Sequence, residues 1–289
     1  MKKIIASILM LAAVGAMSMR AQERQHVSTR FQGFEREYYI CIPDSLAPGK
    51  PLIFCLHGHG GNAEKYHPDL EQTARKYGYA VCYPQGLPSP IGKNSWNVRY
   101  PSQEGMQTDD IAFMVHLAKT LPAKYGLNPD NVFFSGMSNG GEMCYIMALQ
   151  HPEVFRAIAS IAGLQMGWTV QELEPKGHVP FLELHGTADM TSRWEGDPDN
   201  RYGWGQYIAV PAAVANMVSM NKCIHYTRTE LPLYKEDSHP VILHRYDRGT
   251  DGCEVLLYEV VGGAHKWGTA DIDTNEEMLR FFDSHLARQ

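Results

Sequence analysis

The sequence predicts an α/β protein: a mostly parallel central sheet with helices on both faces. Three observations carry that expectation. Short continuous apolar runs such as PLIFCLHG, NVFFSG and VPFLELHG alternate with longer stretches of helical period, the pattern of strands buried on both faces. Several runs close on glycine and open into polar loops, and in parallel sheets the functional loops gather at the carboxyl ends of the strands. One run, NVFFSGMSNGGEM, sets a serine between glycines two positions away on either side, where strand gives way to helix.

The chain has 289 residues, 44% of them hydrophobic, enough for one sizeable core and better suited to one large domain than to two. A net charge of -6 removes any electrostatic reason to expect a nucleic-acid partner. At the amino terminus, Lys2 and Lys3 precede an apolar run from Ile4 to Met17. That is a basic region followed by an apolar region too short to span a bilayer. Small residues at Ala16, Ser18 and Ala21 suit cleavage after Ser18 or Ala21. The expectation is a signal peptide over 1–21, one catalytic domain over 22–289, export to the periplasm or beyond, and no membrane span once the signal is removed.

The elements follow in order. EYYICIP and PLIFCLHG read as the first strands, and Ala63 to Tyr77 as a helix closed by Gly78. YAVCYPQG is a short buried strand. A loop from Leu87 to Gln107, rich in proline, glycine, serine and asparagine, holds Trp96 and Tyr100. In TDDIAFMVHLAKTLPAKYG, Ile111, Met114, Val115, Ala118 and Leu121 recur at helix spacing. Thr108 is the expected N-cap, with Asp109 and Asp110 in the first turn. NVFFSG is then a strand, NGGEMCYIMALQH a helix stopped before Pro152, and RAIASIAG and VPFLELHG are strands. A long loop runs from Thr187 to Gly205. QYIAVPAAVANMVSMN is a helix with an irregularity at Pro211, VILHRYD and EVLLYEVV are strands, and TNEEMLRFFDSHLAR is a final amphipathic helix.

Of the six cysteines, Cys41, Cys55 and Cys82 sit in strand-like apolar runs, where cysteine behaves as a small core residue. Cys223 and Cys253 lie in polar turns 30 residues apart. In an oxidising compartment they are expected to pair, a bond worth about 3–4 kcal/mol by loop entropy. No cysteine pair has zinc-ligand spacing with histidines nearby, so no metal site is expected.

The serine has a chemical reading. Gly136-x-Ser138-x-Gly140 matches a nucleophile elbow. The elbow serine takes a strained backbone conformation, and glycines two residues away avoid collision with the neighbouring strand and helix. A serine nucleophile needs a base, an acid to orient that base, and donors for the oxyanion. CLHGHGGN follows a core strand and offers the backbone N–H of His59, to act with that of Asn139. His57 is expected to pin its own loop. Acid and base should follow in the order Ser, Asp, His. Asp189 lies just past the strand in LELHGTADM, and His265 lies after the last strand in VVGGAHKWG. Asp197, Asp199 and Asp271 are the alternative acids, and His185 suits a structural role.

Together LHGHGGNAEKY, GMSNGGEM, LHGTAD and GGAHKWG resemble a group of α/β-hydrolases: the polyhydroxybutyrate depolymerase, feruloyl esterase and acetyl xylan esterase set. The likeness runs from about Gln32 to the carboxyl terminus. It implies the α/β-hydrolase fold, a secreted serine esterase, Ser138 as nucleophile, Asp189 as orienting acid, His265 as general base and no cofactor. The NKC and DGCEVLLYEV segments resemble the family's cysteine positions, which supports the Cys223–Cys253 bridge. GGAHKWG departs from the pattern, with Lys266 and Gly268 where relatives often carry a small residue and WPG. The implied substrate is a plant polysaccharide or oligosaccharide bearing feruloyl or acetyl esters. Trp96, Trp204 and Trp267 are the candidate substrate contacts, since aromatic walls suit a sugar face or a phenolic ring. The rival readings are a polyhydroxyalkanoate-type polyester depolymerase, a serine peptidase of the same fold and, from a different class, a non-catalytic carbohydrate-binding protein.

Overall fold

The computed structural model describes residues 24–43, 49–268 and 270–287; the expected signal peptide over 1–21 lies outside the described residues. Among the described residues, twelve strands and six α-helices follow one another. They are β1 (Gln25–Phe31), β2 (Phe34–Cys41), β3 (Leu52–Leu56), α1 (Pro68–Tyr77), β4 (Ala80–Pro84), the two-residue strands β5 (Leu87–Pro88) and β6 (Asn94–Ser95), and α2 (Asp110–Tyr125). Then come β7 (Val132–Met137), α3 (Asn139–Gln150), β8 (Ile158–Ile161), α4 (Gly167–Glu172), β9 (Phe181–Gly186), α5 (Val210–Asn221), β10 (His225–Glu230), β11 (Val241–Asp247), β12 (Val255–Val260) and α6 (Thr274–Ser284).

Ten strands form one sheet in the order β1-β2-β4-β3-β7-β8-β9-β12-β11-β10. The six strands from β4 to β12 pair in parallel, and antiparallel pairs extend both edges. Alternation along each strand divides the core in two. Leu52, Phe54 and Leu56 of β3 pack with residues of α2, α3 and α5, such as Phe113, Ile146 and Val214. Ile53 and Cys55 face the other way, with Leu70 and Ala74 of α1 and Met278 and Phe282 of α6. Helices thus cover both faces of a mostly parallel sheet, as the apolar runs predict. Among the described residues, no helix is long and apolar enough to cross a membrane.

Several boundaries differ from the sequence reading. The expected helix from Ala63 is a 3-10 turn over Ala63–Lys65, followed by α1 with proline in its first turn. His67 between them takes a left-handed φ of 43° and so breaks the helical path. Pro211 causes no irregularity; it lies in the first turn of α5, where its missing N–H has no partner to lose. Strands β1 and β10 carry mostly exposed side chains, so they lack the apolar run that marks a central strand.

A buried ion pair ties the 87–107 loop to the sheet. Arg36 of β2, 1% exposed, donates from Nη2 to Asp110 Oδ1 at 2.7 Å. The other carboxylate oxygen accepts from Asn97 N at 2.8 Å and Thr108 Oγ1 at 3.1 Å. The guanidinium lies 4.1 Å from the centroid of the Phe113 ring. The Thr108 hydroxyl is therefore engaged with a side chain, and the N-cap of α2 is Asp109, which accepts from Ala112 N at 2.9 Å. Removing one partner of such a pair strands a buried charge. Asp110→Ala is expected to lower unfolding stability by about 3–5 kcal/mol in urea titration; a loss below about 1 kcal/mol would contradict this account of the loop's anchor.

Candidate active site

The parallel order of the sheet brings the carboxyl ends of β7, β9 and β12 to one edge, with β8 between β7 and β9. Backbone hydrogen bonds stitch the loops that leave them. Ser138 N donates to Ile161 O at 2.9 Å, Ala162 N to Leu184 O at 2.8 Å, Thr187 N to Val260 O at 2.9 Å and Ala188 N to Gly263 O at 2.9 Å. Ser138 leaves β7 at this edge, Asp189 follows β9, and His265 follows β12.

Ser138 joins β7 directly to α3, with φ 55° and ψ -123°, a strained region for a side chain with a Cβ. The flanking glycines permit the sharp crossing. A Cβ at Gly136 would lie 2.4 Å from Gly140 O, and a Cβ at Gly140 would lie 2.6 Å from Leu56 O. Neither space admits another side chain without moving backbone. Ser138 is half-buried, and among the described residues its Oγ has no hydrogen bond, to His265 or to any other group.

Asp189 and His265 are brought together: His265 Nδ1 lies 2.6 Å from Asp189 Oδ2. The other oxygen of Asp189 accepts from Thr191 N at 2.7 Å and Ser192 N at 2.8 Å. With Oδ1 filled by two backbone donors, Oδ2 is left to receive Nδ1–H, which leaves Nε2 of His265 as the lone-pair nitrogen. The Asp189 side chain is fully buried, while that of His265 is 21% exposed. The alternative acids are engaged elsewhere. Asp197 accepts from the backbone of Arg201 and Tyr202, Asp199 pairs with Arg201, and Asp271 holds His239.

The loop after β3 lies against the serine. A Cβ at Gly58 would meet Ser138 Cβ at 3.2 Å. The backbone N–H groups of His59 and Asn139 make no backbone hydrogen bond among the loop and cap contacts of the described residues, which leaves both available as donors. Asn139 is fixed through its side chain: Oδ1 accepts from Trp96 N at 2.7 Å, and Nδ2 donates to Trp96 O at 3.1 Å. Its Nδ2 also lies 3.4 Å from Glu142 Oε2, the oxygen that accepts from the Tyr100 hydroxyl. Burial pushes the Glu142 carboxyl up to about 8, against the lowering effect of the Tyr100 and Asn139 donors.

His57 holds its own loop. It is fully buried, Nε2 accepts from Gly86 N at 3.0 Å, and Nδ1 lies 2.7 Å from Gly58 O. With Nε2 accepting, Nδ1 carries the proton. Burial pulls this imidazole down to about 4, so it is neutral near pH 7. His59 is also pulled down, by burial and then by Lys93; its ring lies 5.5 Å from that of Trp204 and 6.2 Å from that of Tyr100.

Three expectations need correction. Trp96 is fully buried and donates Nε1–H to His57 O at 2.8 Å; it supports the loop from within and faces no solvent. Trp267 is 5% exposed, donates to Asn275 Oδ1 at 2.8 Å and packs at a tilt against His67 with centroids 4.0 Å apart, so it too belongs to the core. Trp204 alone of the three remains partly exposed, beside His59 and Tyr100. Cys223 and Cys253 are thiols rather than a disulfide. The Cys223 sulfur is turned toward the backbone carbonyl of Cys253, 3.7 Å away, and burial pushes the two thiols up to about 11 and 12.

The sequence reading missed Glu142 and Glu183, carboxylates inside an otherwise apolar helix and strand. Their signal was a charge in a buried run, which costs too much to keep without partners. Among the described residues, no group of three or more His, Cys, Asp or Glu side chains is gathered to hold a metal ion.

Part of the chain is similar to known proteins. Residues 37–174 match the family model described as Esterase PHB depolymerase. The chain is 32% identical over 162 residues to feruloyl esterase B of Neurospora crassa, covering 55% of this chain and 54% of that protein. It is 31% identical over 135 residues to acetylxylan esterase A of Talaromyces purpureogenus, covering 45% of this chain and 34% of that protein. The chain thus spans about half the length of these curated relatives, or less. In structure it is similar to the acetyl xylan esterase of Aspergillus awamori, with a TM-score of 0.60 at 19% identity, covering 90% of this chain and 99% of that one. The described chain has the α/β-hydrolase fold, and its likeness to the Esterase PHB depolymerase family model covers residues 37–174, somewhat less than half of the chain.

Proposed function

We propose that this chain is an exported serine esterase that removes feruloyl or acetyl groups from plant cell-wall polysaccharide. The observation that carries the reading is the 2.6 Å contact between His265 Nδ1 and Asp189 Oδ2, at the same sheet edge as the half-buried elbow of Ser138. That contact leaves Nε2 of His265 as the base. The base takes the proton of the Ser138 hydroxyl as Oγ attacks the ester carbonyl. The N–H groups of His59 and Asn139 receive the developing oxyanion, with the dipole of α3 behind them. His265 returns the proton to the leaving alcohol, and water then hydrolyses the acyl-enzyme by the same steps. Trp204, with the half-buried His59 beside it, offers an aromatic wall for a phenolic ring or a sugar face.

The similar proteins named feruloyl esterase B and acetylxylan esterase A support the choice of acyl group. The basic and apolar leader of the sequence supports export.

Ser138→Ala is expected to lower turnover of p-nitrophenyl acetate by about 10⁴–10⁶; near-normal hydrolysis by that variant would end the proposal. The rate of the unaltered chain should fall on acidification as an imidazole base is protonated, and a profile flat to about pH 4 would argue against such a base. On methyl ferulate, acetylated xylan and p-nitrophenyl acetate assayed side by side, hydrolysis of a carbohydrate-linked or feruloyl ester is expected. Activity on the nitrophenyl ester alone would remove the substrate assignment. Trp204→Ala should raise KM for methyl ferulate by about 2–10-fold, the worth of one aromatic contact, with a smaller effect on p-nitrophenyl acetate; equal effects on both would remove Trp204 from the aryl site.

A further inference from the structure

Behind the acid of the site lies a second chain of polar groups that the proposed reaction does not use. Glu183 and His185 alternate with apolar residues on β9, and both are fully buried. His185 Nδ1 is 2.9 Å from Glu183 Oε1, and His185 Nε2 is 2.7 Å from Ser192 O and 3.6 Å from Asp189 Oδ2. Glu183 Oε2 accepts from the Tyr145 hydroxyl of α3 at 3.1 Å. Ser192 is the residue whose N–H donates to Asp189, so His185 grips the turn that shapes the acid.

The proton positions follow from the partners. A carbonyl oxygen only accepts, so Nε2 carries hydrogen. Nδ1 faces a carboxylate whose other oxygen already receives a hydroxyl proton. Asp189, its Oδ1 filled by two backbone donors, adds a second negative group. Acceptors on both nitrogens draw this imidazole toward the imidazolium form, while burial raises the Glu183 carboxyl and pulls the shared proton the other way. Burial alone would drive this ring neutral, but the Glu183 bond and charge, the Ser192 carbonyl and Asp189 outweigh it, and the net shift is upward. Among the described residues, the other groups facing this pair are Ser160 of β8 and Glu142 and Cys144 of α3, which act on Glu183, and the Trp194 ring, 6.1 Å from that of His185.

We propose that Glu183 and His185 form a permanent buried ion pair that positions Asp189 and, by placing a positive charge behind it, sets the basicity of His265. Neither residue touches substrate; both are positioning residues, and the inference rests on the triad reading given above. The positive end of the pair partly offsets the Asp189 charge as felt at His265. Weakening the pair leaves that charge less compensated, so His265 holds its proton to higher pH and the acid limb of the rate profile moves up.

Two measurements test this. Imidazole ¹⁵N–¹H spectra of the intact chain between about pH 6 and pH 8, with His185 assigned by loss of its signal in His185→Gln, should find both ring nitrogens of His185 protonated throughout. A neutral ring in that window overturns the proposal, and this readout needs no activity. Second, kcat/KM for p-nitrophenyl acetate against pH reports the free enzyme's groups. In Glu183→Gln the acid midpoint should rise by about 0.5–1 unit, with KM within about twofold of the unaltered chain. Tyr145→Phe, which removes one of the donors that favour ionised Glu183, should move it the same way by less. A loss of rate with the midpoint unmoved would reduce the pair to a structural support and overturn the proposal. Where Glu183→Gln does not fold, Tyr145→Phe and the spectra decide. Absence of Ser138-dependent hydrolysis in the unaltered chain would instead sink the esterase reading, and the spectra would still judge the ion pair.

Discussion

The close crossing of β7 and α3 is the constraint on which the site depends. Ser138 turns the chain from strand to helix in one residue, at a φ of 55°. Backbone in such regions costs about 1–3 kcal/mol and persists only where its surroundings over-determine it. Here they do: Gly136 rests on Gly140, Gly140 on Leu56, and Gly141 on Gly163, so α3 is pressed onto β3, β7 and the turn after β8. The result is a hydroxyl held half-open at the sheet edge, above a helix amino terminus, while apolar packing on both faces fixes its mounting.

Around that elbow the polar groups are arranged in depth. Asn139 is locked to both backbone groups of Trp96, Trp96 is tied to the carbonyl of His57, and His57 is locked to Gly58 and Gly86. The two proposed oxyanion donors are therefore joined through one buried indole, although they lie on loops far apart in sequence. On the other side, Asp189 is shaped by its own turn and backed by His185 and Glu183. Asn139 and His265 are thus each held by a residue that has further partners of its own, the kind of support that preorganised catalysis requires.

How much of this was legible in the sequence followed from where the information lay. The central strands were readable because β3, β4, β7, β8 and β9 are buried on both faces and so spell continuous apolar runs. Strands β1 and β10 were not, because edge strands with solvated side chains carry no such run. The elbow, the Asp189 turn and the His265 loop were marked by glycines at strand ends, a local signal. Trp96 and Trp267 were misread because an aromatic in a polar loop looks the same whether it lines a pocket or seals one. What decides is a partner distant in sequence: His57 for one, His67 and Asn275 for the other. Cys223 and Cys253, expected to form a bridge, lie close together, but the rotation of the Cys223 sulfur toward a carbonyl is not encoded in spacing.

The central claim is that three side chains from separate loops act on one ester carbonyl. A crystal structure of the chain after reaction with a fluorophosphonate tests it most directly, because the tetrahedral phosphorus mimics the attacked carbon. The account predicts a covalent bond to Ser138 Oγ, with the phosphoryl oxygen about 3 Å from the N–H groups of His59 and Asn139 and with His265 Nε2 in hydrogen-bond reach of the adduct. An adduct on another residue, or one on Ser138 with the His265 imidazole turned away and both N–H groups unused, would contradict it.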